Sequence, residues 1–228
     1  MRDRLDRGLA GLVQQVRDEQ AALDESTDLA ERFEALHARC DGHLEPVLAE
    51  ALALTCAAAE RLVGRVHDEC GEPLPWDLVP RDNQVACAAV LARGVIAELD
   101  TGEGKTLSVA MAAACASLLG RVHVVTANDY LAQRDHEWMG PLLGLIGVEA
   151  GAVHNDVAPE LRRAEYERPV TYASVKEVGA DYLRDTLCSA PQALYLPHLE
   201  GAILDEVDFI LVDEARVPLI LAEPTDPT

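Results

Sequence analysis

Apolar residues change their spacing once along the chain, and the change divides it into two parts. Up to about residue 70 they recur three and four positions apart: Leu5, Leu9, Leu12, Val13 and Val16, then Leu29, Phe33 and Leu36. That is the period of helices with one buried face. A polar break over 24–28 separates the first two helices. Asp28-Leu29-Ala30-Glu31 is a capping signal, a short acceptor side chain followed by a glutamate in the first turn. Gly42 closes the second helix and Pro46 suits the opening of a third. The third, over 47–66, is so rich in alanine and leucine that it predicts burial on most sides. Residues 71–76 hold Pro73 and Pro75, which exclude a regular helix and predict a loop.

Beyond that loop, short apolar runs alternate with amphipathic stretches. The pattern predicts a short helix over 82–91 and a first strand over 95–99. Helix 105–119, strand 122–126 and a helix over 129–145 bent near Gly140-Pro141 follow. Strand 149–153, helix 158–166, strand 170–173, helix 175–187 and strand 201–204 complete the series, with the apolar run 209–212 after it. Strands alternating with helices predict a mostly parallel sheet with helices on both faces. The expected architecture is therefore α/β: an N-terminal helical segment, 1–75, ahead of a nucleotide-binding domain, 76–228. The end, 222–228, reads as a linker.

The junction of the first strand and its helix carries the chemistry. TGEGKT at 101–106 sets Gly102 and Gly104 ahead of Lys105 and Thr106. Small residues there let backbone N–H groups turn inward, and the helix N-terminus adds positive potential, so the loop suits a phosphate. Lys105 is placed to reach terminal phosphates and Thr106 to hold Mg²⁺. Leu99 stands where the strict phosphate-loop pattern has its first glycine. The second anchor is Asp205-Glu206, directly after the apolar strand 201–204. The aspartate suits a metal, in part through its waters, and the glutamate suits polarising the attacking water. Asp213-Glu214 is a second acidic pair. Asp205 is favoured because it follows the longer small-apolar strand, and Asp213 and Glu214 are expected to pair with Arg216 or to cap a helix. Gln84 precedes the loop at the start of a helix, where a side-chain amide can donate to and accept from an adenine edge.

Charge and cysteines narrow the picture. With 19 Lys and Arg against 40 Asp and Glu, the formal charge is −21, which argues against nucleic acid, since phosphate contacts need clustered cations. Aromatics make up only 4%, too few for stacking platforms. The six cysteines form no C-x-x-C pair and several sit among alanines and leucines, as reduced, buried thiols would. The N-terminus has no apolar core of signal-peptide length and no apolar run spans a bilayer, so the expected location is cytoplasmic, at most peripheral to the membrane.

Residues 80–224 resemble the first nucleotide-binding domain of the SecA preprotein translocase ATPases, a RecA-like P-loop fold. The resemblance rests on TGEGKT at 101–106, the form typical of helicase-type motors, and on VVTANDYLAQRD at 124–135. DYLRD at 181–185, and DEVDFILVDEAR at 205–216 with Pro218 to Ile220, complete it. It is weaker over 26–70 and negligible before. The resemblance implies ATP and Mg²⁺ as cofactors. It puts Gln84 at the adenine and Gly102, Glu103, Gly104, Lys105 and Thr106 on the phosphates. Asp205 falls to the metal, Glu206 becomes the general base, and Arg134 lies near the cleft. It also implies a preprotein substrate, a membrane translocation channel and a second nucleotide-binding domain supplying arginine fingers. Such an arginine is worth roughly 10³–10⁵ in rate in related enzymes, so the chain by itself is expected to bind Mg-ATP and hydrolyse it poorly. The sequence departs from the family at 67–79, which looks inserted, at Ser174-Val175-Lys176, at Val217 and at Glu223. The rival readings are a superfamily 2 nucleic-acid helicase fragment and a truncated, non-catalytic regulator of a SecA-type translocase.

Overall fold

The computed structural model describes residues 2–69, 72–188 and 194–219. Cys70, Gly71, Ile220, Glu223 and the linker-like stretch 222–228 lie outside the described residues. Three helices come first: α1 (Arg2–Ala21), α2 (Leu29–Cys40) and α3 (Leu48–Leu62). The cap read at Asp28 is formed, its carboxylate accepting from the Glu31 N–H at 3.0 Å. α2 ends where Asp41 (φ 41°) and Gly42 (φ 75°) enter the left-handed region. Every residue of α3 except Glu50, Glu60 and Arg61 is buried. Glu50 is held by Arg32 at 2.8 Å and Arg39 at 2.5 Å, both from α2.

Residues 66–75 depart from expectation. In place of a loop through 71–76 there is an antiparallel ribbon, β1 (Val66–Glu69) with β2 (Glu72–Pro75), Val66 facing Pro75. Proline excludes a helix and the interior of a wide sheet, but a two-stranded ribbon has only edges and tolerates it. The buried Trp76 anchors the ribbon's base: its N–H donates to Arg65 O at 2.8 Å, and its carbonyl accepts from Gly64 N at 2.9 Å. Its indole donates to Leu78 O at 2.8 Å.

The alternating part follows as α4 (Asp82–Ala92), α5 (Lys105–Ala116), β3 (Val122–Thr126), α6 (Asp129–Leu145) and β4 (Ala150–Val153). Then come α7 (Pro159–Tyr166), β5 (Val170–Ser174), α8 (Val175–Leu187) and β6 (Gly201–Leu204). β3 to β6 form one parallel sheet in the order β4-β5-β3-β6, the α/β architecture expected.

The strand expected over 95–99 is not formed. Val95 is 55% and Ile96 82% exposed, and among the described residues no strand pairs with this run. A strand is stable only with a hydrogen-bonded neighbour, and β6, the edge strand of the sheet, does not pair with this run. The apolar run after β6 closes into a π-helical turn, Phe209–Asp213.

One face of the sheet presents Val122, Val124, Val170, Tyr172 and Ile203 to a core shared with α3, α5 and α6. Val16, Phe33 and Leu36 of the N-terminal helices belong to that same core. Each such side chain fully buried contributes about 1.5–3 kcal/mol. The opposite face carries a smaller cluster around Val153, Tyr166, Ala173 and Leu196. Cys40, Cys56, Cys87 and Cys115 are buried free thiols. Burial pushes the Cys56 thiol up to about 12, so it packs as a small apolar group rather than reacting.

Candidate nucleotide-binding site

Two segments far apart in sequence meet at the C-terminal end of the sheet, where ligands of open α/β folds bind. The first is the glycine loop. Glu103 N donates to Asp100 O at 3.2 Å, closing a turn, and Gly102 (φ 87°) and Gly104 (φ 80°) flank Glu103 in the left-handed region. Gly104 caps α5, so Lys105 and Thr106 occupy its first turn, where backbone N–H groups lack intrahelical partners and the helix dipole favours an anion. The second segment is the end of β6. Asp205 N donates to Val125 O of β3 at 2.9 Å, tying the acidic pair to the sheet. The Asp205 carboxylate accepts from Glu206 N at 2.9 Å.

Lys105, Asp205 and Glu206 line one cavity of about 630 Å³ together with Thr101, and Ile96, Leu99, Leu204 and Phe209 give it apolar wall. That volume lies in the range of small-molecule sites. The Asp205 carboxylate that lines the cavity is an oxygen donor of the kind a hard divalent cation takes, and Lys105 is the matching cation for phosphate. The residues present therefore fit Mg²⁺ with a nucleoside triphosphate. Gln84, Gly102, Glu103, Gly104 and Thr106 are not among the lining residues; they form the loop and its support.

Gln84 is buried and engaged at both ends. Its Oε1 accepts from Arg81 N at 2.8 Å, and its Nε2 donates to Glu103 O at 2.9 Å. Two neighbours that the sequence reading passed over join it. Arg81 donates to Glu103 O at 3.0 Å, and Asn83 to the Glu103 carboxylate at 2.9 Å. The available signal was the crowding of Arg81, Asn83 and Gln84 into one turn ahead of an acidic loop residue.

Asp213, Glu214 and Arg216 do not form the expected pair: among the described residues no ion pair joins them. The π-helical turn puts Asp213 and Arg216 in solvent, and Glu214 uses its N–H to close the turn on Phe209 O at 2.9 Å. Arg134 pairs with the adjacent, buried Asp135 at 2.6 Å and is absent from the cavity lining. Motif residues 128 and 129 act as joints. Asn128 caps α6 by accepting from Leu131 N at 2.9 Å, and Asp129 accepts from Ser174, the cap of α8.

Glu206 adopts φ 52°, a left-handed conformation that costs a non-glycine residue about 1 kcal/mol or more. Glu206→Gly is therefore expected to unfold at higher urea than Glu206→Ala, by about 1 kcal/mol; equal midpoints would show that the backbone there is unstrained.

A family model described as the SecA DEAD-like domain matches residues 2–228. The chain belongs to that family. The match includes α1, further toward the N-terminus than the sequence motifs reach. Among curated relatives, the protein translocase subunit SecA of Pelodictyon phaeoclathratiforme is 44% identical over 197 residues, covering 86% of this chain and 19% of the relative. The subunit of the same name from Chloroherpeton thalassium is 39% identical over 215 residues, 92% of this chain and 21% of the relative. The chain thus spans about one fifth of the length of the relatives it matches. No described helix is long and apolar enough to cross a membrane.

Proposed function

We propose that this chain is the ATP-binding part of a SecA-type motor, whose work is to move unfolded preprotein through a membrane channel. The observation that carries the reading is the cavity shared by Lys105, Asp205 and Glu206, which joins a helix N-terminus and a cation to a pair of carboxylates. Lys105 and the first-turn amides of α5 hold the β- and γ-phosphates. Thr106 and Asp205 hold Mg²⁺, which when bound offsets phosphate charge. Glu206 accepts the proton of the attacking water. Gln84 reads the adenine by exchanging the bond its amide makes to Glu103 O beneath the loop for one to the base. Hydrolysis at a useful rate waits on an arginine from a second nucleotide-binding domain, worth roughly 10³–10⁵. The acidic balance of −21 favours a protein substrate over a nucleic acid.

The test is a titration with a fluorescent ATP analogue in the presence of Mg²⁺. The chain is expected to bind, and Lys105→Ala to weaken binding about tenfold or more through loss of a charge-assisted contact. Binding of equal strength in both would sink the assignment.

A further inference from the structure

We infer that Arg17, on α1, is a positioning residue for the nucleotide loop, acting through the start of α4. Its guanidinium brackets the residue that caps that helix. Nη2 donates to Pro80 O at 2.7 Å, and Nε and Nη2 reach Asp82 Oδ1 at 3.0 and 2.9 Å. Nη1 donates to Gln20 Oε1 at 2.9 Å, which fixes the fork on its own helix. The cap itself is Arg81. From it and the first turn behind it, Arg81, Asn83 and Gln84 each hold Glu103 of the loop by a hydrogen bond of 3.0, 2.9 and 2.9 Å. Arg17 is thus one turn of backbone away from every described side chain that tethers Glu103.

The exposure of the pair decides what the contact does. The side chains of Arg17 and Asp82 are 28% and 74% exposed, and an ion pair so open to water adds little to stability. A planar fork holding a carbonyl and a carboxylate at fixed angles does something else: it sets the direction in which α4 begins. Any tilt of that first turn is delivered to Glu103, whose neighbours Gly102 and Gly104 have no side chains to resist it. Such small displacements at a binding loop change affinity more than they change folding. α1 packs on α3 and α4, and the Arg17 fork is its hydrogen-bonded hold on the start of α4.

The inference rests on the nucleotide reading above, and the experiment separates the two. Affinity for a fluorescent ATP analogue and for its guanine counterpart is measured for the unaltered chain, Arg17→Ala, Arg17→Lys, Asp82→Asn and Lys105→Ala. Thermal unfolding and amide hydrogen exchange at 102–105 are followed alongside. Arg17→Ala and Asp82→Asn are each expected to lower ATP affinity about five- to tenfold, to narrow the preference for adenine and to speed exchange in the loop. Their melting temperatures should stay within a few degrees of the unaltered chain. Arg17→Lys should recover part of the affinity. In a Gln84→Ala background the loss caused by Arg17→Ala should shrink, because the tether it acts through is already cut. Unchanged affinity in Asp82→Asn, or a loss of equal size with and without Gln84, overturns the role of Arg17. If Lys105→Ala binds as well as the unaltered chain, the nucleotide reading itself fails, and this inference with it.

Discussion

Asp181→Ala is expected to destabilise the fold by about 3–4 kcal/mol. Asp181 has no exposed surface. Its Oδ2 accepts from Arg162 Nη1 at 2.7 Å and from the Tyr166 hydroxyl at 3.1 Å, and its Oδ1 from Arg184 at 2.5 Å. Arg162, with a side chain only 6% exposed, also meets Glu177 at 2.5 Å. Alanine at 181 leaves that buried guanidinium with one carboxylate instead of two and removes the acceptor of the buried Tyr166 hydroxyl. Losing one partner from a buried charge cluster is far costlier than losing a surface pair. Deleting the exposed pair Arg163 and Glu167, 2.9 Å apart, should cost less than about 1 kcal/mol. Asp181→Asn keeps the volume and one acceptor but not the charge and should fall between. Urea unfolding of the three variants at neutral pH decides. An Asp181→Ala chain within about 1 kcal/mol of the unaltered one would mean the cluster is not holding α7 to α8.

That cluster also shows where sequence reading stops. DYLRD was legible as a family motif, but nothing in its spacing says that Asp181 meets Arg162, nineteen positions earlier. What could be read was local: the cap at Asp28, the glycines before Lys105, and a helix over 175–187 that matches α8. Each of these is closed by its own neighbours. What could not be read depends on partners elsewhere in the chain. The run 95–99 has strand residues but no strand paired with it. Pro73 and Pro75 signal the absence of helix but do not distinguish a loop from a ribbon. Asp213 and Arg216 are near in sequence, yet a π-helical turn separates their use. The candidate site divides the same way. Its loop and its acidic pair were visible as motifs, whereas the support beneath the loop, from Arg17 to Glu103, is assembled from tertiary contacts alone.

The support makes the two loop glycines unequal, and Gly104→Ala is expected to be the more damaging substitution by a wide margin. Both residues have positive φ, 87° at Gly102 and 80° at Gly104, so alanine at either pays about 1–2 kcal/mol of backbone strain. At Gly102 nothing lies within 4 Å of the added methyl, and strain is the whole effect. At Gly104 the methyl would sit 2.1 Å from Gln84 Nε2, so the amide end of that side chain must shift, and the cost lies in the bonds it gives up. Those are the bond to Glu103 O and the bond from Arg81 N that closes the start of α4. Leaving a buried amide poorly satisfied adds about 1–3 kcal/mol, for a total loss of about 2–5 kcal/mol relative to the unaltered chain and an ATP affinity below detection. The decisive measurement is the double variant. If displacement of Gln84 is the cause, Gln84→Ala combined with Gly104→Ala should be more stable than the sum of the single losses predicts, because the shortened side chain makes room for the methyl. Additive losses would show that Gly104 matters for its dihedral angles alone, and that the packing of Gln84 against the loop contributes nothing to holding it.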